Sequence, residues 1–147
     1  MNFRSFAITI AALAAPVAAQ FNVCSSSLLG TGCGPTLDVT FTPVGNAGNQ
    51  QITISGGGLD PAGITVMVWG LNNLGGFPLP LGGCPVYTEY LWGHNINPDA
   101  AGFYSWSRSW PNSVQGQYNI QLGTLYVNAN NEFAIETSEA RVAICTQ

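Results

Sequence analysis

Residues 36–55 read TLDVTFTPVGNAGNQQITIS, and this stretch decides the fold class. Apolar and polar side chains alternate over residues 37–42 and again over residues 51–55. Such alternation places every second side chain on one face of a β-strand, so one face can enter a core while the other meets solvent. Residues 45–49 read GNAGN, which is a turn composition. The stretch therefore predicts two half-buried strands with a turn between them.

The same period of two recurs through the rest of the chain. Alternating runs also cover residues 64–69, 118–122, 133–136 and 141–145. Two more strands are predicted over Val86–Trp92 and Phe103–Trp110, whereas Gly70–Pro85 is predicted to be a long irregular loop that packs against the core. About eight short strands separated by turns predict an all-β fold, a single antiparallel β-sandwich of the Ig-like or jelly-roll-like kind.

Residues 1–19 are predicted to be a cleaved signal peptide. Arg4 supplies a positive charge, residues 5–15 form an apolar stretch, and Val17-Ala18-Ala19 supplies small residues before a cleavage site. The apolar stretch is shorter than the about 20 residues that span a bilayer. We expect cleavage after Ala19, leaving residues 20–147 as one β-sandwich domain that is secreted, periplasmic or held at the cell surface.

The predicted mature chain is acidic and almost free of basic residues. It contains Arg108, Arg141 and no Lys, against seven carboxylates, so its net charge is 2 − 7 = −5. A chain of this kind cannot neutralise phosphates, which argues against nucleic-acid partners. It should not adhere to anionic membrane surfaces either.

Four cysteines follow the predicted cleavage site: Cys24, Cys33, Cys84 and Cys145. An even number behind a signal peptide predicts two disulfides. Zinc binding is disfavoured because the chain has no CxxC pair and only one histidine. Similar local contexts favour a Cys33–Cys84 bond, which leaves Cys24–Cys145 to join the two ends. A local Cys24–Cys33 bond is the main alternative.

Several short motifs follow one another in a characteristic order. They are Gly-Thr-Gly-Cys at 30–33, Pro-Val-Gly at 43–45, Leu-Pro-Leu-Gly-Gly-Cys at 79–84, Asp-Ala-Ala-Gly at 99–102, and Trp-Pro followed by Gly-Gln-Tyr within 110–118. This order resembles small secreted bacterial β-sandwich proteins of unassigned function. The resemblance implies a sandwich and a Cys33–Cys84 bond, and it implies no catalytic residues. Cys24 and Cys145 are additional to that pattern.

Catalytic histidine and metal chemistry find little support in the sequence. His94 is the only histidine, and no nucleophile motif accompanies it. We expect it to be a turn residue bonded to backbone. Residues 95–99 read NINPD and place oxygen-bearing side chains at alternate positions, as calcium loops do, but Ala100 stands where such a loop needs Gly. An Asx-rich turn explains the same residues, so no metal or cofactor is predicted.

Paired carboxylates give no clearer sign of catalysis. Glycoside hydrolysis needs two acids about 5–10 Å apart across a cleft. Glu89 with Asp99, and Glu132 with Glu136, are conceivable pairs, yet their spacing in the sequence gives no support. We therefore predict no catalytic residues and expect that the protein is not an enzyme.

Aromatic residues supply the best functional indication. Tyr104, Trp106 and Trp110 share one face of a predicted strand and would form a stripe about 20 Å long. Tyr90 and Trp92 share a face of another strand. Exposed rings in a row can stack on sugars, so these five residues form a candidate glycan-binding site. The alternative is that the stripe packs against the opposite sheet.

Three functions follow, in order of preference. The first is a secreted, noncatalytic extracellular module, structural or adhesive. The second is a carbohydrate-binding module that uses the aromatic stripe, and the third is a small glycan hydrolase. Because Lys does not guard the sheet edges, self-assembly and contact with another extracellular protein are alternatives to a polysaccharide partner. Arg108, on the stripe's face, argues against complete burial of that face.

Overall fold

The computed structural model describes residues 23–45, 49–81, 83–111 and 113–146. The predicted signal peptide lies outside these residues. Within them the chain forms eleven strands and no helix. The strands are β1 (Val23–Gly30), β2 (Thr36–Val44), β3 (Asn49–Gly57), β4 (Ile64–Gly70), β5 (Asn73–Pro78), β6 (Pro85–Thr88), β7 (Trp92–Ile96), β8 (Tyr104–Trp110), β9 (Gly116–Val127), β10 (Phe133–Thr137) and β11 (Ala140–Thr146).

Two antiparallel sheets pack face to face, which confirms the predicted all-β sandwich. The larger sheet has the order β1-β11-β9-β4-β7, and β10 also pairs with β9. The smaller sheet has the order β2-β3-β8, and β5 and β6 form a separate hairpin. The core between the sheets comprises Leu37, Val39, Ile52, Ile54, Leu59, Met67, Trp69, Ile96, Ile120, Leu122 and Ala143. Apolar residues from every central strand thus drive the two sheets together.

The opening stretch behaves as its alternation predicts. Val39 of β2 lies directly opposite Ile54 of β3, and both side chains are buried. Their neighbours Asp38 and Thr40 are exposed on the other face. Cross-strand apolar pairs of this kind stabilise a sheet and fix its register, because a slip of one residue would turn the apolar set towards solvent.

The predicted loop Gly70–Pro85 contains strand β5, and the predicted strand Val86–Trp92 is divided between β6 and β7. Together with β1, these changes raise the strand count from eight to eleven. Gln121 helps to form the additional strand β6, because its side-chain amide bonds to the β6 backbone as a neighbouring strand would. Its Nε2 donates to Pro85 O at 3.0 Å, and its Oε1 accepts from Tyr87 N at 2.9 Å.

The two disulfides are those that the sequence favours, Cys33–Cys84 and Cys24–Cys145. Cys24 and Cys145 face each other across β1 and β11, with 4.1 Å between their Cα atoms. The alternative Cys24–Cys33 bond is therefore wrong. Two disulfides are typical of proteins that fold in an oxidising compartment. Among the described residues, no helix is long and apolar enough to cross a membrane.

Loss of either disulfide is expected to destabilise the fold by about 4–5 kcal/mol, because each bond closes a long loop in the unfolded chain. The bonded cysteines are 121 residues apart in Cys24–Cys145 and 51 apart in Cys33–Cys84. Paired Cys→Ser variants of each bond, compared with the parent in denaturant unfolding, measure the loss. A loss below about 1 kcal/mol for either pair would contradict the expectation.

Candidate functional site

Aromatic rings gather where the open edges of the two sheets meet. Strand β7 is an edge of the larger sheet, and β8 is an edge of the smaller one. Trp69 of β4 is the centre of the cluster. Its ring stacks on Trp110 with centroids 6.3 Å apart and planes 10° apart, and it contacts Trp92 at 5.4 Å and Trp106 at 6.4 Å. Tyr118 meets Trp110 edge-on at 5.5 Å.

The predicted stripe faces the opposite sheet and is not a flat exposed row. Tyr104, Trp106 and Trp110 are half-buried and pack against the core, as expected from the alternative interpretation that the stripe packs against the opposite sheet. The Arg108 side chain stays exposed on the edge strand, so no buried charge results. Tyr90 is 71 % exposed, and it lies outside any strand.

A cavity of about 200 Å³ opens beside this cluster, and we call it the notch. Its lining residues are Trp69, Gly70, Leu71, Leu91, Trp92, Trp110 and Tyr118. The notch brings together two residues of the predicted site, Trp92 from β7 and Trp110 from β8. Tyr90, Tyr104 and Trp106 are not among its lining residues. Half of the Trp92 surface remains exposed to solvent, so this ring forms an accessible wall.

Sequence reasoning missed four lining side chains of the notch, namely Trp69, Leu71, Leu91 and Tyr118. Trp69 belongs to a run in which Ile64, Val66 and Val68 form the more regular apolar set. The structure instead buries Thr65, Met67 and Trp69, whereas Ile64 is 60 % exposed. The sequence feature that could have identified the buried face is the pair of large apolar residues Met67 and Trp69, which share one face of the strand. Nothing in the local sequence indicates that Leu71 and Leu91 line the same cavity.

Glu89 holds one rim of the notch in place. Its Oε1 accepts hydrogen bonds from the backbone N–H groups of Leu71 and Asn72, both at 3.1 Å, and its Oε2 accepts from Asn72 Nδ2 at 2.8 Å. The Asn72 side chain and the Leu71 N–H favour the carboxylate form, which lowers the pKa of Glu89 below its ordinary value. A Cβ at Gly70 would collide with the Glu89 carbonyl oxygen, so this rim also needs glycine.

His94 occupies β7 and is not the backbone-bonded turn residue that the sequence suggested. Its ring lies between Trp92, at 5.4 Å, and Trp106, at 5.8 Å. Both ring nitrogens are buried and have no hydrogen-bond partner in the described part of the chain. Because burial disfavours the charged imidazolium, the pKa of His94 is lowered. The imidazole therefore serves mainly as a flat ring between two indoles.

Other carboxylates of the candidate pairs also have structural partners. Asp99 Oδ1 accepts from the backbone N–H groups of Ala101 and Phe103, both at 2.9 Å, which makes residues 99–103 an Asx-type turn. Glu136 accepts a 2.6 Å hydrogen bond from the Tyr126 hydroxyl, and this bond raises the pKa of Tyr126. Among the described residues, no three His, Cys, Asp or Glu side chains form a group that could hold a metal ion.

A second, larger opening of about 710 Å³ lies at the Tyr104 end of β8. It is lined by charged as well as aromatic side chains, including Asp38, Glu139 and Arg141. Arg141 donates to Glu139 at 2.7 Å and to the backbone oxygen of Leu37 at 3.0 Å, so its charge already has partners. Burial raises the pKa of Tyr104 to about 12, which keeps its hydroxyl protonated.

The role of Glu89 predicts a local change in the Glu89→Gln variant. Glutamine keeps one oxygen for the two backbone N–H groups but loses the negative charge that strengthens these bonds, and its NH2 group faces the donor Asn72 Nδ2. The backbone N–H groups of Leu71 and Asn72 should therefore exchange with solvent faster than in the parent. Amide hydrogen exchange followed by NMR measures this change. Glu132→Gln is the control, because Glu132 is an exposed carboxylate outside the notch lining. Unchanged exchange at both amides would contradict the assigned role.

Burial of His94 predicts a pH dependence of stability. The unfolded imidazole binds a proton near its ordinary pKa of 6.5, whereas the folded ring resists protonation to lower pH. The contribution of the neutral His94 ring to the free energy of unfolding is therefore complete above pH 6.5. It decreases as the pH falls towards the lowered pKa of the folded ring. His94→Phe should remove this loss between neutral pH and about pH 5.5, measured by denaturant unfolding at each pH. An equal loss in parent and variant would contradict the prediction.

Comparison with known proteins finds no matching protein family, no matching curated protein and no matching solved structure. The resemblance to small secreted bacterial β-sandwich proteins therefore stays a prediction from the sequence motifs.

Proposed function

We propose that this protein is a secreted, noncatalytic extracellular module that adheres to its target through the notch. The observation that carries the proposal is the half-exposed Trp92 ring beside an aromatic cavity at the open edge of the sandwich. Leu71 and Leu91 line the notch as well, and each is at least half exposed, so they continue this apolar surface outwards. Exposed apolar surface that continues into a cavity is a common mark of a binding site.

The covalent frame supports a role outside the cell. A predicted signal peptide precedes a domain whose four cysteines are all paired. Cys24–Cys145 fixes one edge of the larger sheet, and the notch lies at its other edge. Complete pairing of the cysteines is typical of domains that work in an oxidising compartment.

The arrangement of ionisable groups supports a noncatalytic role. Glu89, Asp99 and Glu136 each accept hydrogen bonds that hold their own neighbourhood together. General acid or base catalysis needs a group that can reach a proton on the substrate. The nitrogens of His94 are buried between two indoles, which does not suit that task.

Retention on insoluble extracellular material tests the proposal. The mature protein is incubated with cellulose, chitin, peptidoglycan and gelatin-coated beads, and the bound fraction is measured after washing. We expect retention on at least one surface and a strong loss in Trp92→Ala, because this exposed ring supplies a large contact area.

Phe133→Ala is the matched control for this experiment. Phe133 is 69 % exposed and lies on β10, which pairs with the end of β9 remote from Tyr118. Its removal deletes an exposed ring of comparable kind without touching the notch. The proposal is overturned by lack of retention on every surface, or by equal losses in the two variants.

A further inference from the structure

We infer that the notch binds one ring of a neutral sugar, with the apolar face of the ring against Trp92. The inference rests on the proposed function and specifies the ligand of that same site. Its support is the juxtaposition of Trp69, Trp92, Trp110 and Tyr118, which come from four different strands, around one small opening.

The size of the notch limits its occupant. A cavity of about 200 Å³ is smaller than the ~300–1,000 Å³ typical of sites that enclose a drug-sized ligand. One six-membered ring suits this space, whereas a folded peptide or a lipid chain exceeds it. A ligand that extends further must continue across the surface outside the notch. The exposed side chains of Leu71 and Leu91 offer that surface.

The chemistry of the lining selects for a ligand with one apolar face. The walls are aromatic and aliphatic, and none of the lining side chains carries a charge at neutral pH. Trp92 is only half covered by protein, so an occupant on this ring keeps one face in water. A sugar ring has such a two-sided character, because its axial C–H groups form an apolar face and its hydroxyl groups line the edge.

Charge around the site selects for a neutral sugar. Glu89 is the carboxylate that holds the Leu71 rim, and its oxygens already accept three hydrogen bonds. The predicted mature chain carries seven acidic residues against two arginines. Neither arginine lines the notch. An acidic sugar or a phosphorylated ligand would therefore find no cationic side chain in the lining and would enter the field of an acidic chain.

Rigid placement of the Trp92 ring adds to the argument. The centroid of the Trp69 ring lies 5.4 Å from the centroid of the Trp92 ring, and the centroid of the His94 ring lies at the same distance from it. Leu91, the residue before it, donates its backbone N–H to Trp69 O at 3.0 Å. The ring is thus held by neighbours before any ligand arrives, which lowers the entropy cost of stacking.

Titration with soluble oligosaccharides tests the inference on the full mature protein. The neutral probes are cellotetraose, chitotetraose, xylotetraose and mannotetraose, and the acidic probe is tetragalacturonic acid. Isothermal calorimetry and tryptophan fluorescence report binding. We expect at least one neutral probe to bind, and the acidic probe to bind at least about tenfold more weakly than it.

Variants of Trp92 identify the contact. Trp92→Ala should weaken binding of the neutral probe at least about tenfold, Trp92→Tyr should restore part of it because a ring is present, and Phe133→Ala should leave it unchanged. Circular dichroism and denaturant unfolding show whether each variant is folded. If Trp92→Ala does not fold, the affinities of Trp92→Tyr, Phe133→Ala and the parent for the neutral probe are compared instead. Weaker binding by Trp92→Tyr than by the other two supports stacking on Trp92, and equal binding by all three contradicts it.

The outcomes separate this inference from the proposed function. If no neutral probe binds, or if tetragalacturonic acid binds as tightly, the sugar inference is overturned. Loss of retention on gelatin-coated beads in Trp92→Ala would then leave the adhesive function standing with a protein target. If retention on every surface is indifferent to Trp92→Ala, both are overturned. Neutral-probe binding that is lost in Trp92→Ala and kept in Phe133→Ala supports both.

Discussion

The stacking of Trp69 against rings of both sheets holds the open edge of this sandwich together. On the larger sheet it contacts Trp92, and on the smaller sheet it contacts Trp106 and Trp110. Edge strands β7 and β8 each have a hydrogen-bonded neighbour on one side within the described chain, so main-chain bonds do not close this edge. Ring packing provides the closure, since aromatic pairs contribute about 0.5–1.5 kcal/mol each beyond their buried area. The notch exists because these large rings fill the gap incompletely.

The opposite edge of the larger sheet is closed by a different interaction. Strands β1 and β11 form an antiparallel pair, and the Cys24–Cys145 bond joins residues that lie directly opposite each other. The sandwich therefore has one covalently fixed edge and one edge held by ring contacts. Binding surfaces are often built from side chains that a rigid scaffold holds in place. At the aromatic edge the rings are held by one another and by strands of both sheets, and no strand ladder closes the edge in the described chain.

Alternation predicts strands well where one face meets solvent and poorly where both faces are covered. Leu37, Val39, Ile52 and Ile54 follow it because their neighbours are polar. Strand β4 does not follow the simple alternation, because Val68, on its outer face, lies under the β5–β6 hairpin and lines a cavity together with Val86. With apolar residues on both faces, a period of two cannot say which set enters the main core.

The disulfide pairing and the shared face of the stripe residues could be predicted, but the site itself could not. A period of two places Tyr104, Trp106 and Trp110 on one face of β8, and it says nothing about whether that face meets solvent or the other sheet. The notch depends on contacts between residues far apart in sequence, such as Trp69 with Trp110. Such contacts are set by tertiary packing, which has no local signature.

The aromatic edge also carries an energetic cost that bears on its role. Trp69 Nε1, Trp110 Nε1 and both nitrogens of His94 are buried without a partner in the described part of the chain. A buried polar group without a hydrogen bond costs about 1–3 kcal/mol, so packing alone must offset several such penalties here. Phe41 packs against Trp110 in the same cluster and brings no polar atom with it. The indoles of Trp69 and Trp110 therefore cost more than a purely hydrocarbon ring would, and both of them line the notch as well as joining the two sheets. His94 does not line the notch, so its cost belongs to the packing between Trp92 and Trp106 alone.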